Sequence, residues 1–322
     1  MDRRGFVGGL AVLGVGGGWA AWEMLRYDGS PGSSGSGLAG APGGGSPGAG
    51  SAIPSPAGQG NGAMGPGTLP DRWGVQLYTV RDRMAEDVRG TLEAVADMGY
   101  REVEFAGLFD WSPRDVRSLL DDLGVRAASS HYPMQVARES WEAALDVCET
   151  LGQTQVIVPS LPPDARTADG LRALAEEMNR AGEAARARGL TFGFHNHDFE
   201  VKPLEASVEG GGPERPLDIL LAETDPDLVS FQLDLFWAVQ GGTDPVDWFT
   251  NHPGRFTSLH VKDRTDSGEM VSVGDGVLDF ARFFSVGEEI GGVRHAFVEH
   301  DQPGDSMASI RRGIEYLSTL SL

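Results

Sequence analysis

Past Pro70 the chain carries eight short β-rich runs, at residues 74–78, 102–105, 126–131, 155–159, 191–195, 230–234, 258–261 and 296–299. Amphipathic stretches separate them, among them Val88–Met98, Pro113–Leu123, Trp141–Leu151 and 170–188, and a final one at 306–320 follows the eighth run. Regular alternation of strand and helix is the pattern of parallel βαβ units. Helix starts are legible too, since Ser112 followed by Pro113 supplies an N-cap and a proline at the first helical position. Eight such repeats in about 250 residues predict a closed (β/α)8 TIM barrel over 71–322, because that is the usual size of one. A doubly wound open sheet is the alternative, but no glycine-rich phosphate loop follows the first run. The rhythm breaks once, at 202–226, where an acidic, glycine-containing insertion with a short apolar helix at 217–221 separates the fifth and sixth strands. In a barrel this connection lies on the C-terminal face, so a substrate-covering role is one expectation and a decorated loop the other.

The preceding residues read differently. Arg3 and Arg4, then Phe6 and an apolar, glycine-rich run to about Ala21, have the form of a twin-arginine-type (Tat) export signal over 1–25. An ordinary secretory signal is the alternative. Trp19-Ala20-Ala21-Trp22 is a poor cleavage site, so an N-terminal membrane anchor is a further reading. Residues 26–70 are Gly, Ser, Pro and Ala with almost no large apolar side chain, and such a composition is expected to form a disordered linker. Either export route implies an extracytoplasmic protein, periplasmic or at the cell surface. The formal net charge of −21 argues against nucleic acid or anionic membrane as partners, which need a basic footprint. Cys148 is the only cysteine, which excludes an intrachain disulfide and a thiolate metal cluster and suggests a buried structural thiol. Self-association into a homo-oligomer is left open.

The runs end in groups able to bind a metal or move a proton. Glu104 lies in the second, His131 ends the third, His195 and His197 stand at the fifth, Asp234 ends the sixth, His260 with Lys262 and Asp263 the seventh, and Glu299 with His300 the eighth. Any one of them alone would be an ordinary hydrogen-bonded side chain. Buried ionisable groups are costly unless paired or bound to a cation, so their convergence on one rim predicts a site. Alternation along a strand puts His195 and His197 on one face and aligns His260 with Lys262. A mixed imidazole and carboxylate set suits one divalent ion of the Mn2+, Zn2+, Co2+ or Fe2+ kind better than Ca2+, which prefers oxygen alone.

Six segments, 74–81, 102–107, 194–200, 232–237, 259–263 and 297–301, resemble the xylose-isomerase-like TIM barrels that include sugar phosphate isomerases and epimerases. Phe194-His195-Asn196-His197-Asp198-Phe199-Glu200, Gln232-Leu233-Asp234 and Leu259-His260-Val261-Lys262-Asp263 carry most of the likeness. The resemblance implies one metal ion held by four strand-end residues. Three fall on Asp234, His260 and Glu299, and the fourth position, a glutamate in many relatives, is His195. It implies a metal-dependent enzyme of carbohydrate metabolism that abstracts a proton next to the carbonyl of a sugar or keto-sugar, an isomerase or epimerase. Glu299 is the expected metal-bound proton carrier, and Glu104, His131, His197 and Lys262 orient hydroxyls or act as acid and base. A fifth strand that reads His is also similar to lyases, dehydratases of keto-inositols or proteins that cleave 3-keto-glycosides by elimination. A non-catalytic sugar-binding barrel is the reading of another class, and a phosphodiester-cleaving enzyme like the related apurinic endonucleases is disfavoured by the acidic charge and the smaller ligand set.

Overall fold

The computed structural model describes residues 69–204 and 214–322. The expected export signal and all but the end of the linker lie outside the described residues, as does the 205–213 part of the insertion. Eight parallel strands, Gly74–Gln76, Glu102–Phe105, Arg126–His131, Gln155–Val158, Thr191–His195, Val229–Asp234, Phe256–Val261 and His295–Val298, close into a barrel in which the first pairs with the eighth. The main departures from the expected bounds have local causes. Gln76 accepts the Tyr78 N–H through its side chain and turns Leu77–Val80 into a 3-10 turn, so the first strand is short. Pro159 cannot donate to a ladder, and the fourth strand stops at Val158. Glu299 stands one residue past the eighth strand, yet its N–H still bonds the Val261 carbonyl at 3.0 Å, which holds it on the rim.

Strand alternation sorts the residues by chemistry. Along the seventh strand Leu259 and Val261 join the apolar layer shared with the surrounding helices, whereas Ser258, His260 and Lys262 have the opposite parity. All three are buried, so the barrel interior above its midpoint is polar. Phe297, paired in register with His260, packs over the first strand: a Cβ at Gly74 would come 2.5 Å from its ring, so glycine is required there for space. Cys148 is buried, as expected. Pro216–Glu223 buries Leu217, Ile219, Leu220 and Leu221, so the apolar part of the insertion is the helix that follows the fifth strand. Among the described residues no helix is long and apolar enough to cross a membrane.

The opposite end of the barrel is closed by an ionic plug. Glu102, His295 and Arg126 open the second, eighth and third strands, and the fully buried Glu102 carboxylate takes the His295 Nδ1 at 2.7 Å and the Arg126 guanidinium. Removing the carboxylate leaves the buried His295 ring and the partly exposed Arg126 guanidinium without their acceptor, so Glu102→Ala is expected to cost about 1–3 kcal/mol in denaturant unfolding. A loss under about 0.5 kcal/mol would mean that the plug is not structural.

Candidate active site

The C-terminal end of the barrel is organised around Glu104. Its carboxylate accepts from Gln76 Nε2 at 2.8 Å, Gln232 Nε2 at 2.9 Å, His260 Nε2 at 2.5 Å and the Ser129 hydroxyl, and His131 Nε2 lies 3.1 Å away. Burial alone would raise its pKa, but the imidazoles of His131 and His260 outweigh that and hold it well below the usual carboxylate range. With its oxygens so engaged and no exposed surface, Glu104 anchors imidazoles beneath the rim. His131 Nε2 also contacts Gln232 Oε1 at 2.9 Å, and its ring stacks 5.2 Å from that of His260.

His260 therefore has its Nε2–H committed to Glu104, and its Nδ1 faces the rim. That nitrogen lies 2.6 Å from Glu299 Oε2 and 4.0 Å from Asp234 Oδ2, and makes no aligned hydrogen bond to either. A lone pair pressed against carboxylate oxygens is favourable only with a proton or a cation between them. The environment shows the same demand: burial disfavours the imidazolium, yet Glu299 and Glu104 push His260 up to about 10. Asp234 lies across from it. Its Oδ1 caps the helix Leu235–Gln240 by accepting the Trp237 N–H at 2.8 Å, while its buried Oδ2 makes no aligned hydrogen bond among the described residues, with Lys262 Nζ 3.1 Å away. Burial pushes this carboxyl up to about 6, a burden that a bound cation would lift. His195 Nε2 is 3.8 Å from Asp234 Oδ2, and His195, Asp234 and His260 offer ligand atoms within 4.8 Å of one another.

Atoms that share one ion at about 2.0–2.2 Å cannot lie more than about 4.4 Å apart. The separations of 3.8 and 4.0 Å meet that limit, so His195, Asp234 and His260 could hold a divalent ion, and Glu299 Oε2 lies 2.6 Å from the His260 nitrogen that faces them. A second cluster, Glu104, His131 and His260, is also close enough in space, but its facing atoms already hydrogen-bond one another.

Lys262 completes the constellation. Its buried ammonium reaches Asp301 Oδ1 at 2.6 Å, Glu299 Oε2 at 2.9 Å and Asp234 Oδ2 at 3.1 Å. Burial opposes the charge, but Asp234, Asp301 and Glu299 together hold its pKa well above the ordinary value. Glu299 is correspondingly held far below the carboxylate range: burial raises it, and Lys262 and His260 more than reverse the effect. A carboxylate and an ammonium are thus fixed in contact at the edge of the ion site.

The fifth strand brings two neutral imidazoles. Burial is the main reason that His195 lies well below the usual histidine range and that His197 is pushed down to about 3. Their rings are 4.9 Å apart. Asn196, on the other parity, accepts the Asp234 N–H at 3.0 Å and so ties the fifth strand to the sixth. Glu200 accepts the His197 N–H at 2.8 Å, while its Oε1 is buried without a partner. Burial pushes Glu200 up to about 8 from an ordinary value of 4.5, so the folded chain holds this proton more tightly than the unfolded chain does. The group's contribution is complete below about pH 4.5 and is lost as pH rises to about 8. Glu200→Gln is expected to flatten the fall of melting temperature with pH in that window; a slope equal to that of the native chain would contradict the account.

All eight site residues expected from the sequence converge here. His300, by contrast, turns to Ser309 in the last helix, with Nδ1 3.0 Å from its hydroxyl. Asp263 binds backbone: it accepts the N–H groups of Arg264, Gly274, Gly276 and Leu278, and moors the segment after the seventh strand. Gln76, Ser129, Gln232, Asp301 and Trp237 belong to the site and were not expected. Parity gives Gln232 away, two residues before Asp234. The partnership of Gln76 and Ser129 with Glu104 depends on register across the sheet and leaves no mark in the sequence.

The barrel and its rim of strand-end ligands define a family: the chain belongs to the xylose isomerase-like TIM barrels, whose sequence profile matches residues 92–320. Among curated proteins it is similar to the inosose dehydratase of Geobacillus kaustophilus, 26% identical over 236 residues, covering 60% of this chain and 73% of that one. Among solved structures it is similar to a sugar phosphate isomerase/epimerase from Parabacteroides distasonis, with a TM-score of 0.69 and 29% identity over 78% of this chain and 95% of that one. A likeness in fold alone extends to the IolI protein with a bound zinc atom, TM-score 0.61 at 15% identity, covering 77% of this chain and 98% of that one.

Proposed function

We propose that this barrel is a metal-dependent lyase that dehydrates a ring-shaped keto-polyol, removing the proton next to the carbonyl and expelling a β-hydroxyl as water. The observation that carries it is the contact of one base with one acid, Glu299 Oε2 and Lys262 Nζ at 2.9 Å, with an imidazole at the fifth-strand position. Stereochemical inversion needs a second proton carrier on the opposite face of the substrate. His195, with its lone pair given to an ion, cannot carry a proton, and Glu104 is engaged from every side.

Bound to His195, Asp234, His260 and Glu299, a divalent ion would polarise the carbonyl as a Lewis acid. Glu299 takes the α-proton; the C–H electron pair becomes the carbon–carbon π bond of an enolate as the carbonyl π pair moves to oxygen. When the carbonyl re-forms, that π pair shifts to the α–β bond and breaks the bond to the β-hydroxyl, which leaves as water with a proton from Lys262; the enol product relaxes to a dione, and the proton on Glu299 passes to Lys262, 2.9 Å away. Asp301 keeps Lys262 charged and in place, and His131 and His197 are placed to orient ring hydroxyls. The inosose dehydratase relative supports this reaction, in which water is lost from a cyclic ketone. Isomerisation or epimerisation shares the first proton abstraction, and the Parabacteroides relative supports that second reading.

The test is turnover of inososes, keto-sugars and 3-keto-glycosides by metal-loaded and chelator-stripped protein. Water loss from an inosose only in the metal-loaded form is expected. Inversion without water loss would favour the epimerase, and saturable binding with no turnover the non-catalytic barrel. The same reading places the barrel outside the cytoplasm, exported through residues 1–25 and trailing the linker of 26–70; activity confined to the cytoplasm of its source would contradict that.

A further inference from the structure

Trp237 is the aromatic wall of the site, and neither the metal set nor the acid–base pair uses it. It lies one helical turn past Asp234, whose Oδ1 receives its backbone N–H. The partly buried indole is 5.8 Å from Lys262 Nζ, measured to the ring centre, and 5.9 Å from the His197 ring. His197 in turn lies parallel to Phe199 at 5.8 Å, so Phe199, His197 and Trp237 form a continuous run of partly buried rings beside His195. Within that run the Trp237 Nε1–H is buried and has no hydrogen-bond partner among the described residues. A buried donor left unpaired costs free energy, whereas a donor that meets its acceptor only when ligand binds turns that cost into affinity and selectivity.

We infer that Trp237 is a substrate-recognition residue. Its indole N–H donates to a ring hydroxyl or ring oxygen, and its face packs against the C–H side of a six-membered polyol ring held between Lys262 and the His197–Phe199 pair. The ligand class is a cyclic polyol or pyranose. An open-chain sugar offers the same hydroxyls but no flat apolar face to set against an indole, so the wall discriminates by ring shape. This subsite rests on the proposed carbohydrate reading of the same rim, but its binding role is independent of which reaction follows.

The experiment is calorimetric titration of the metal-loaded protein with myo-inositol, a ring polyol that has no carbonyl to react, and with open-chain sorbitol. Inosose turnover is measured in parallel. Native protein should bind myo-inositol at least about tenfold more tightly than sorbitol. Trp237→Phe keeps an aromatic face and loses the donor; it should bind myo-inositol about tenfold more weakly and raise KM by a similar factor, with kcat within about threefold. Trp237→Ala loses both and should bind about a hundredfold more weakly, with metal content and melting temperature reported for each variant as folding controls. Native-like affinity in both folded variants overturns the subsite, as does equal affinity of the native chain for the two polyols. Binding that depends on Trp237 without turnover of any keto-polyol would instead sink the proposed reaction and leave the subsite standing. Failure of the native chain to bind myo-inositol overturns the subsite, and overturns the proposed reaction as well only where no inosose is turned over.

Discussion

Glu299→Gln is expected to lower kcat by about three orders of magnitude, within the span general-base groups contribute, while the metal stays bound at saturating concentration. The amide keeps the size of the side chain and an oxygen for the ion, but it cannot accept the α-proton. In the native site that carboxylate is held ionised by Lys262 and His260, so its lone pairs are free of a proton at any pH near neutrality. The check is steady-state kinetics alongside metal analysis of the same sample. A kcat within tenfold of native with a full metal complement would move the base elsewhere, and His131, hydrogen-bonded into the site through Gln232, would be the next group to substitute.

Lys262→Met separates charge from shape. Three carboxylates, Asp234, Glu299 and Asp301, meet one ammonium that has almost no exposed surface. Removing it leaves them facing one another in a low-dielectric pocket, and in the presence of chelator the variant is expected to lose about 3–5 kcal/mol of stability. A divalent ion at Asp234 and Glu299 restores part of the missing positive charge, so added metal should recover more stability in the variant than in the native chain. Activity should fall by about two to four orders of magnitude, because the leaving hydroxyl has lost its proton donor. Thermal melts with and without chelator read the first effect and product formation the second. A variant as stable as native without metal would mean that the carboxylates do not depend on Lys262.

These two residues also show how far the sequence reaches. Lys262 and Glu299 were visible because a charged side chain at the end of an apolar parallel strand has few structural uses, and alternation put Lys262 on the His260 face. The barrel was visible for the same reason of period: eight β-rich runs, each followed by a helical stretch, and only their ends shifted, by the Gln76 cap and by Pro159. What the sequence withheld is contact between elements far apart in the chain. That Glu104, expected to orient hydroxyls or act as acid and base, hydrogen-bonds His260, 156 residues away, follows from barrel closure and register. Trp237 was hidden differently. In an apolar run after the sixth strand it reads as core, and what distinguishes it is an indole whose N–H has no partner among the described residues and whose ring centre lies 5.8 Å from Lys262 Nζ.

The most direct measurement is proton NMR of an inosose turned over by the metal-loaded protein in deuterated water. With Glu299 as sole base and Lys262 as acid, each turnover should release one water and give a dione, with no inverted substrate accumulating. Recovery of inverted ring ketone with deuterium at the new stereocentre and no loss of water, persisting in His131→Ala, His197→Ala and Lys262→Ala, would contradict one-sided elimination.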